Sequence, residues 1–371
     1  MFKLTQSIFL LIILLFSCGR NYEEPTNLSS PIENLKITNS SKYIVESNTL
    51  PDSLNDIEAY TSIKNVKIIA TKKNISILDN FSKKLRKNYE FKFDNFKELI
   101  SVDFSINKDK SKLLVITSSG QSSTALVFQI DLSSFQIDWL SEYSNQIETG
   151  CYSHNSNLIA LGTSDYPKKT KENTSEYYSS LFLLNSNTGK LVDYFKQGES
   201  VSKIKFSEDD EFICAVLGWP HVDSFVWNIN NKNEKLSTCG KDNTSYYDAC
   251  FIDKKTFVSV GSDGIYKWNI SEPKNYEIVY TNESKYLNAT DRIYKLGNIF
   301  MLIDYPNGSA NPPIIKYFNS KFQLTDSIKM KTTLDNIMIS NFTLEATGSN
   351  NSIINFDIKK KSVTETIFKW K

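Results

Sequence analysis

Histidine is nearly absent from this 371-residue chain, which contains only His154 and His221. The sequence also lacks a G-x-S-x-G turn, a glycine-rich phosphate-binding loop, an H-E-x-x-H motif and a C-x-x-C pair. With two histidines, the chain has few residues that could form a Ser-His-Asp catalytic triad. It also lacks the sequence motifs of common metal-binding and nucleotide-binding sites. The sequence predicts a protein that is not an enzyme, with no metal ion and no cofactor.

Neither sign of charge is in excess, because 43 lysines and arginines are interspersed with 42 aspartates and glutamates. Nucleic-acid-binding domains usually carry a clustered basic surface, so we expect no nucleic-acid partner. After the first 16 residues, no apolar stretch approaches the roughly 18 residues that indicate a membrane-spanning helix. No later segment is therefore expected to span a membrane.

Cysteine is also scarce, with five in the chain. Apart from Cys18 they are Cys151, Cys214, Cys239 and Cys250, and their spacing matches no zinc pattern. Cys151 and Cys250 each precede a glycine by 11 residues, which places them on equivalent strands of a repeat described below. Four cysteines allow three disulfide connectivities, but we favour buried free thiols that act as small apolar fillers.

The first 18 residues have the pattern of a targeting segment. Lys3 precedes a ten-residue run, residues 7–16, which is apolar after Ser7 and too short to cross about 30 Å of hydrocarbon. The run ends in Leu15-Phe16-Ser17-Cys18, which resembles the cleavage site of bacterial lipoproteins. The resemblance implies that residues 1–17 are removed and that Cys18 receives diacylglycerol and a further acyl chain such as palmitate. The alternative is an ordinary secretory signal.

Residues 18–34 are polar, contain two prolines and predict a disordered tether. Glu23-Glu24 resembles the surface-export signal of some Bacteroidota lipoproteins. Together the two resemblances imply an extracytoplasmic protein that is lipid-anchored to a bacterial membrane. The outer membrane is preferred to the inner one, and the choice between its periplasmic and surface faces stays open.

The strongest signal in the sequence is a repeat. Seven times an apolar or aromatic residue is followed by Asp or Asn within strand-like sequence: Leu78-Asp79, Ile130-Asp131, Leu184-Asn185, Trp227-Asn228, Trp268-Asn269, Phe318-Asn319 and Phe356-Asp357. The steps between them are 52, 54, 43, 41, 50 and 38 residues. A period of about 40–50 residues is typical of four-stranded propeller blades. The sequence thus predicts an all-β chain, a seven-bladed β-propeller over residues 35–371.

One repeat is especially clear. Two runs rich in β-branched and aromatic residues, 256–261 and 265–270, flank Ser262-Asp263-Gly264, where Asp-Gly predicts a hairpin turn with positive φ angles. The sequence FVSVGSDGIYKWNI is similar to the core of WD40 repeats, and residues 344–358 and 212–229 repeat it. The Gly-His dipeptide of that family is absent, so the resemblance is WD40-like.

The resemblance implies a structural role for the seven Asp and Asn residues. The apolar member of each pair packs between blades, and the polar member bonds to turn backbone groups. Closure of the ring is less defined. Residues 362–370 predict the outer strand of the last blade, and residues 35–38 and 43–45 are predicted to add a strand beside it. An eighth blade would need more sequence than residues 35–56 provide.

The long connections between second and third strands suggest a binding site. Blades 3, 4 and 6 carry insertions at residues 163–178, 219–224 and 304–313, and each insertion holds an aromatic residue before a proline. Proline stiffens the backbone of such aromatics. Function on a rigid scaffold usually lies on its extended loops. The candidate binding rim is therefore Tyr166, Trp219, His221 and Tyr305.

These observations favour a lipid-anchored envelope propeller that acts as a non-catalytic protein-binding or scaffolding module with an envelope protein as partner. The alternative is a capture protein or enzyme that acts on carbohydrate or peptide through the loop-rich face. An enzyme should show carboxylates lining the channel, and a scaffold should show an exposed apolar patch. Asp209-Asp210-Glu211 is interpreted as a solvated turn. A third reading, an intracellular WD40-type hub, requires that residues 1–18 are not a signal.

Overall fold

The computed structural model describes residues 35–37, 44–47, 57–91, 101–118, 125–143, 146–163, 167–169, 175–177, 179–197, 200–217, 224–238, 245–272, 275–281, 291–306, 310–340, 342–348 and 352–367. Residues Asn34–Lys371 form one compact unit. The predicted signal peptide, Cys18 and the whole of the predicted tether lie outside the described residues. No helix within the described ranges is long and apolar enough to cross a membrane.

The described residues form 32 strands. Two short strands come first, β1 (Leu35–Ile37) and β2 (Ile44–Ser47). Blade 1 contains β3 (Ile57–Ile63), β4 (Val66–Thr71), β5 (Asn74–Asp79) and β6 (Leu85–Phe91). Blade 2 contains β7 (Ser101–Ile106), β8 (Lys112–Ser118), β9 (Ala125–Asp131) and β10 (Gln136–Tyr143). Blade 3 contains β11 (Ile147–Tyr152), β12 (Leu158–Thr163), β15 (Ser179–Asn185) and β16 (Leu191–Gln197), with an inserted hairpin of β13 (Pro167–Lys169) and β14 (Ser175–Tyr177).

Blade 4 contains β17 (Val201–Phe206), β18 (Phe212–Leu217), β19 (Ser224–Asn228) and β20 (Asn231–Thr238). Blade 5 contains β21 (Tyr246–Phe251), β22 (Thr256–Gly261), β23 (Gly264–Asn269) and β24 (Tyr276–Thr281). Blade 6 contains β25 (Arg292–Leu296), β26 (Ile299–Asp304), β27 (Ile314–Phe318) and β28 (Leu324–Lys329). Blade 7 contains β29 (Asp335–Ser340), β30 (Thr343–Gly348), β31 (Ser352–Asp357) and β32 (Ser362–Ile367).

Each blade is an antiparallel sheet whose four strands pair in chain order, and the seven blades form a ring. The hydrophobic core lies between adjacent blades. One such cluster joins Cys214, Val216 and Val226 of blade 4 to Phe257 and Trp268 of blade 5. Because each sheet buries both faces against its neighbours, the middle strands are apolar along most of their length. The prediction of an all-β chain with seven four-stranded blades is confirmed.

The seven apolar–polar pairs occupy one place in the repeat, the end of the third strand. All seven apolar members are buried. The polar side chain that follows accepts hydrogen bonds from backbone N–H groups of the next turn. Asp79 accepts from Phe81 and Ser82 at 3.0 and 2.8 Å, for example. The other six, namely Asp131, Asn185, Asn228, Asn269, Asn319 and Asp357, accept bonds of the same kind.

The turn after the third strand also has a backbone requirement. In four blades the fourth residue after the Asp or Asn has a φ angle between 54° and 65°: Lys83, Phe135, Gly189 and Lys361. A positive φ of this kind costs an L-amino acid roughly 1–2 kcal/mol. Only blade 3 has the glycine that removes this cost.

We expect Lys83→Gly to increase the free energy of unfolding by about 0.5 kcal/mol. Relief of the backbone strain exceeds the entropy that glycine adds to the unfolded chain, roughly 0.4–1 kcal/mol. Urea unfolding checks the value. Lys84→Gly is the matched control, since it removes the same charge from a neighbouring exposed position without a positive φ. A loss of stability in both variants would contradict the account.

The two N-terminal strands pair elsewhere than the sequence suggested. β1 pairs with β10, the outer strand of blade 2, and β2 pairs with β6, the outer strand of blade 1. The expectation that they extend the last blade is therefore wrong. A strand edge is made of backbone groups that every blade presents, so side-chain pattern does not specify which edge a short strand joins.

The ring closes instead by packing of complete blades. β3 of blade 1 lies against β30 of blade 7. The buried Glu345 carboxylate accepts hydrogen bonds from the Ser62 backbone N–H at 2.8 Å and the Thr61 hydroxyl at 3.1 Å. Tyr60 and Ile353 belong to one apolar cluster at this seam. No strand within the described residues is shared between the first and last blades.

Two local predictions also need correction. Ser262 and Asp263 form the two-residue turn, but neither they nor Gly264 has a positive φ. Gly264 is required for space, because a Cβ there would lie 2.1 Å from the Tyr280 carbonyl oxygen. Asp210 is not merely solvated. Its carboxylate accepts hydrogen bonds from the His154 and Asn155 backbone N–H groups at 2.7 and 2.8 Å, which links blades 3 and 4.

Candidate functional site

A cavity of about 670 Å³ occupies the centre of the ring. Its walls come mainly from the innermost strands of blades 2 to 7, namely β7, β11, β17, β21, β25 and β29. Asn107 and Lys110, in the turn after β7, line one end. Glu148, Arg292 and Asp335, near the starts of innermost strands, line the other end, which we call the mouth. The long connections between second and third strands start at this end.

Lys203 and Arg292 lie at one level, just inside the mouth. Lys203 pairs with Val216, the penultimate residue of β18, and Arg292 pairs with Ile303, the penultimate residue of β26. Both residues line the cavity. The two cations come from blades 4 and 6, so the ring brings together residues that are distant in the chain.

Asp248 of blade 5 lies at the same level, but its side chain stabilises the fold and does not face the channel as a free group. Its side chain is 0% exposed. One oxygen accepts a hydrogen bond from the Ala249 N–H at 2.9 Å, and the other accepts one from the Ile293 N–H at 2.9 Å. Because Ile293 belongs to blade 6, Asp248 joins two blades through a buried, charge-assisted hydrogen bond.

The Lys205 side chain is likewise held by contacts within the fold. Its Nζ lies 3.9 Å from the Asp248 carboxylate, donates to the Ile293 carbonyl at 3.5 Å and sits 4.7 Å from the Tyr294 ring centre. Burial alone would lower the pKa of Lys205, but the Asp248 carboxylate more than offsets this and holds the pKa above its ordinary value. Lys205 is therefore charged across the accessible pH range.

Lys203 differs from Lys205 in having no fixed partner. Its side-chain ammonium group makes no hydrogen bond, and no ion pair within 4.0 Å, with any residue that the structure describes. Burial and the nearby Arg292 guanidinium lower the pKa of Lys203 to about 8. Burial raises the pKa of the Asp103 carboxyl, an effect that Lys203 partly opposes. Lys203 is thus a channel-facing ammonium group that is still largely charged at pH 7.

The cysteines beside the channel are free thiols. Cys214 and Cys250 are buried free thiols, as expected, and Cys151 is also free but half-buried. Cys239 lies outside the described residues. Burial raises the pKa of Cys151 and Cys250 to about 12 and that of Cys214 well above its ordinary value. Thiols so rarely ionised are poor nucleophiles and poor metal ligands.

Of the four residues of the predicted binding rim, the structure describes Tyr305. Tyr166, Trp219 and His221 lie outside the described residues, so their roles stay predictions. Tyr305 is 2% exposed, and its hydroxyl donates to the Leu334 carbonyl oxygen. The expectation that Tyr305 offers exposed contact area is therefore wrong. Its ring fills space beside the channel wall, because the residue directly follows β26, where the chain is still packed between blades.

Carboxylates lining the channel were expected for an enzyme, and an exposed apolar patch was expected for a scaffold. Each of these two features is present in part. Asp103, Glu148, Asp248 and Asp335 line the channel, but Lys203, Lys205 and Arg292 are interleaved with them. The large exposed apolar residues among the described part of the chain are spread over five blades and form no single patch. Phe81 lies in the turn after β5, and the others lie on outer strands: Val192, Tyr276, Ile278, Leu324 and Val363. Among the described residues, no group of three or more His, Cys, Asp or Glu is placed to hold a metal ion.

Sequence reasoning missed Lys203 and Arg292. A signal for the first was present in β17, Val-Ser-Lys-Ile-Lys-Phe, where two lysines alternate with apolar residues. Alternation on an innermost strand places both lysines on the same side of the sheet. Arg292 had no such signal, since it is the first residue of a short strand.

No family model matches this sequence, and no curated protein is similar to it in sequence. The fold, by contrast, resembles many solved structures. The computationally designed Ika8 protein is 15% identical, with 85% of this chain and 87% of that chain covered and a TM-score of 0.57. The C-terminal WD40 domain of Sif2 is 13% identical, with 75% and 76% covered and a TM-score of 0.50.

A prolyl endopeptidase structure is 11% identical, with 84% of this chain covered and a TM-score of 0.58. This chain spans 50% of that one. At such identities the similarity shows a common fold and carries no information on activity. With its seven four-stranded sheets arranged in a ring, the chain is a β-propeller of WD40-like fold.

Proposed function

We propose that the protein is a lipid-anchored, non-catalytic binding module of the bacterial envelope, and that a partner protein docks at the channel mouth. The observation that carries this proposal is the open, charged mouth. Lys203 faces the cavity without a fixed partner among the described residues. Asp248, the most buried carboxylate there, has both oxygens engaged by backbone N–H groups and is not free for acid–base chemistry.

The architecture supports a binding role. The radial repetition of blades leaves only short strand edges at the channel and yields a rigid platform. The long second-to-third connections start at the mouth, where extended loops most often carry recognition. The sequence 15–18, with its resemblance to a lipoprotein cleavage site, supports the anchor.

We expect the full-length protein, expressed in a bacterium, to incorporate an alkyne-labelled palmitate, and Cys18→Ala to abolish the label. The physical reason is that the resemblance of residues 15–18 to a lipoprotein cleavage site places the lipid on the Cys18 thiol. The wild-type protein should remain with membranes at high salt, because acyl chains contribute about 0.8 kcal/mol per buried CH₂. Cys239→Ala is the control. Equal labelling of wild type and Cys18→Ala would exclude the anchor.

Site-specific photo-crosslinking in living cells tests the docking face. A photoreactive amino acid at Glu148, exposed at the mouth, should give a discrete adduct with an envelope protein. The same group at Asn298, exposed in the turn at the opposite end of the innermost strands, is the matched control. An adduct at Asn298 alone, or the same adduct at both, would contradict docking at the mouth.

The alternative of a capture protein or enzyme for carbohydrate or peptide keeps one specific support. Asp103, Glu148 and Asp335 line the same cavity, and pairs of carboxylates perform glycoside hydrolysis. A screen of glycans and peptides for turnover tests it. Turnover that Asp103→Asn abolishes would favour the enzyme over the scaffold.

A further inference from the structure

Lys203 places an unpaired amine in a large cavity. The residue lines the central channel, and its ammonium group makes no hydrogen bond, and no ion pair within 4.0 Å, with any described residue. A charged group in a partly desolvated site destabilises the fold unless it is paired. No contact among the described residues offsets this cost, so the side chain is better suited to a ligand than to structural support.

The surroundings of Lys203 favour its neutral amine. Burial lowers the pKa of Lys203 most, and the nearby cations Arg292 and Lys205 lower it further. The carboxylates of Asp248 and Asp103 act in the opposite direction but leave the pKa at about 8. A lysine that is desolvated and close to another cation is an activated nucleophile, of the kind that forms Schiff bases with carbonyl compounds.

Lys205 provides a contrast within the same strand. It lies two residues further along β17 and also lines the cavity. Burial would lower the pKa of Lys205, but the Asp248 carboxylate outweighs burial and raises it above the ordinary value. The Lys205 amine is therefore protonated and has no free lone pair. Of these two adjacent lysines, only Lys203 combines access to the cavity with a nucleophilic amine.

The cavity has room for a small uncharged ligand beside Lys203. Its volume of about 670 Å³ falls within the roughly 300–1,000 Å³ that ligand sites occupy. Apolar side chains such as Val102 and Ile339 form part of its wall. The exposed carboxylates of Glu148 and Asp335 line the mouth and disfavour the entry of anions. Because water screens these two exposed charges, they have little effect on the Lys203 amine itself.

We propose that Lys203 is a covalent binding site for small uncharged aldehydes, which enter through the mouth and are held as an imine. The lone pair of Lys203 Nζ attacks the carbonyl carbon, and the π electrons of the C=O bond move to oxygen. Two protons pass from nitrogen to oxygen, the C–O bond breaks, and water leaves as the C=N bond forms. Amine and aldehyde thus give imine and water, with no oxidant or reductant. The site goes beyond protein docking, since its ligand lies inside the cavity.

Reductive trapping of the full-length protein in detergent tests the site. Butanal is the probe at pH 7, and sodium cyanoborohydride donates hydride to each imine and leaves a stable secondary amine. Fragment-ion mass spectra then assign the label to individual lysines. At this pH about one in ten Lys203 amines is neutral, against about one in 2,500 for an ordinary exposed lysine. The lower basicity of Lys203 offsets part of this difference. We therefore expect labelling at least about tenfold faster than at exposed Lys190, and no early labelling of Lys205.

Two further conditions separate an amine inside the cavity from one on the surface. The ratio of Lys203 to Lys190 labelling should fall as pH rises from 7 to 10. Lys203 is mostly neutral above its pKa of about 8, whereas exposed amines gain their lone pairs at higher pH. A polyethylene glycol aldehyde much larger than the cavity should label Lys190 and leave Lys203 unmodified.

Lys203→Met removes the amine and keeps a long side chain. It should abolish the label at this position and raise the midpoint of urea unfolding, because it removes an unpaired charge from a partly desolvated site. Lys190→Met is the matched control at an exposed position and should leave the midpoint unchanged.

Several results would overturn the site. They are equal labelling of Lys203 and Lys190 by butanal, faster labelling of Lys205, modification of Lys203 by the polymeric aldehyde, or a labelling ratio that does not fall with pH. A lower urea midpoint in Lys203→Met would also count against it, since the lysine would then support the fold.

Discussion

Replacement of Asp248 by alanine is expected to lower the free energy of unfolding by about 3–5 kcal/mol, the range measured when one partner of a buried charged pair is removed. The Asp248 carboxylate is fully buried and accepts one hydrogen bond from its own blade and one from Ile293 of the next. Alanine leaves the Ile293 N–H without its acceptor and Lys205 without its neighbouring anion. Chemical denaturation of the purified protein gives the value.

Two further variants define the origin of this loss. Asp248→Asn keeps an acceptor oxygen but removes the charge, so it should cost less than alanine. Glu365→Ala removes an exposed carboxylate from outer strand β32 and should change stability by less than about 0.5 kcal/mol. If Asp248→Ala were as mild as Glu365→Ala, the carboxylate would not join the two blades.

Gly189→Ala is expected to cost about 2–5 kcal/mol, because two penalties add. Gly189 has a φ angle of +65°, which costs an L-amino acid roughly 1–2 kcal/mol. Its Cβ would also lie 2.5 Å from the Trp139 ring of the neighbouring blade, and overpacking typically costs 1–3 kcal/mol. Trp139 cannot move freely, since its indole N–H donates to the Ser186 carbonyl at 2.8 Å.

Gly297→Ala separates the two penalties. Gly297 has nearly the same φ angle, +64°, but a Cβ there would meet no atom within 4 Å. We expect it to cost only the backbone contribution of roughly 1–2 kcal/mol. Tryptophan fluorescence should change in Gly189→Ala and stay constant in Gly297→Ala. Equal losses of stability in both variants would show that Trp139 accommodates the methyl group.

The fold was predictable because its signal is repeated. Each third strand ends in a buried residue followed by Asp or Asn, and local hydrogen bonds explain why the turn needs that side chain. Blade number follows from counting these pairs. The pairing of β1 and β2 was not predictable, because backbone hydrogen bonds to an outer edge leave little trace in side-chain pattern.

The candidate site was less predictable for a different reason. Lys203 and Arg292 are far apart in the chain, and only the closed ring places them at one level of a channel. The exposure of Tyr305 was predicted wrongly because an aromatic residue before proline has the same sequence pattern whether its side chain is exposed or buried. Asp210 was predicted to be a solvated turn residue because its hydrogen-bond donors, the backbone N–H groups of His154 and Asn155, have no sequence signature.

The seam between blades 1 and 7 has a consequence for how the chain folds. Apart from the added strands β1 and β2 and the hairpin inserted in blade 3, each blade is built from strands that are consecutive in the chain, so most of its contacts are local and can form during synthesis. The Thr61–Glu345 hydrogen bond, by contrast, joins residues 284 positions apart. Before Glu345 is synthesised, the unpaired face of blade 1 is exposed to solvent and to other chains. The nascent protein therefore passes through an open, aggregation-prone arc, and its final folding event is a single long-range closure.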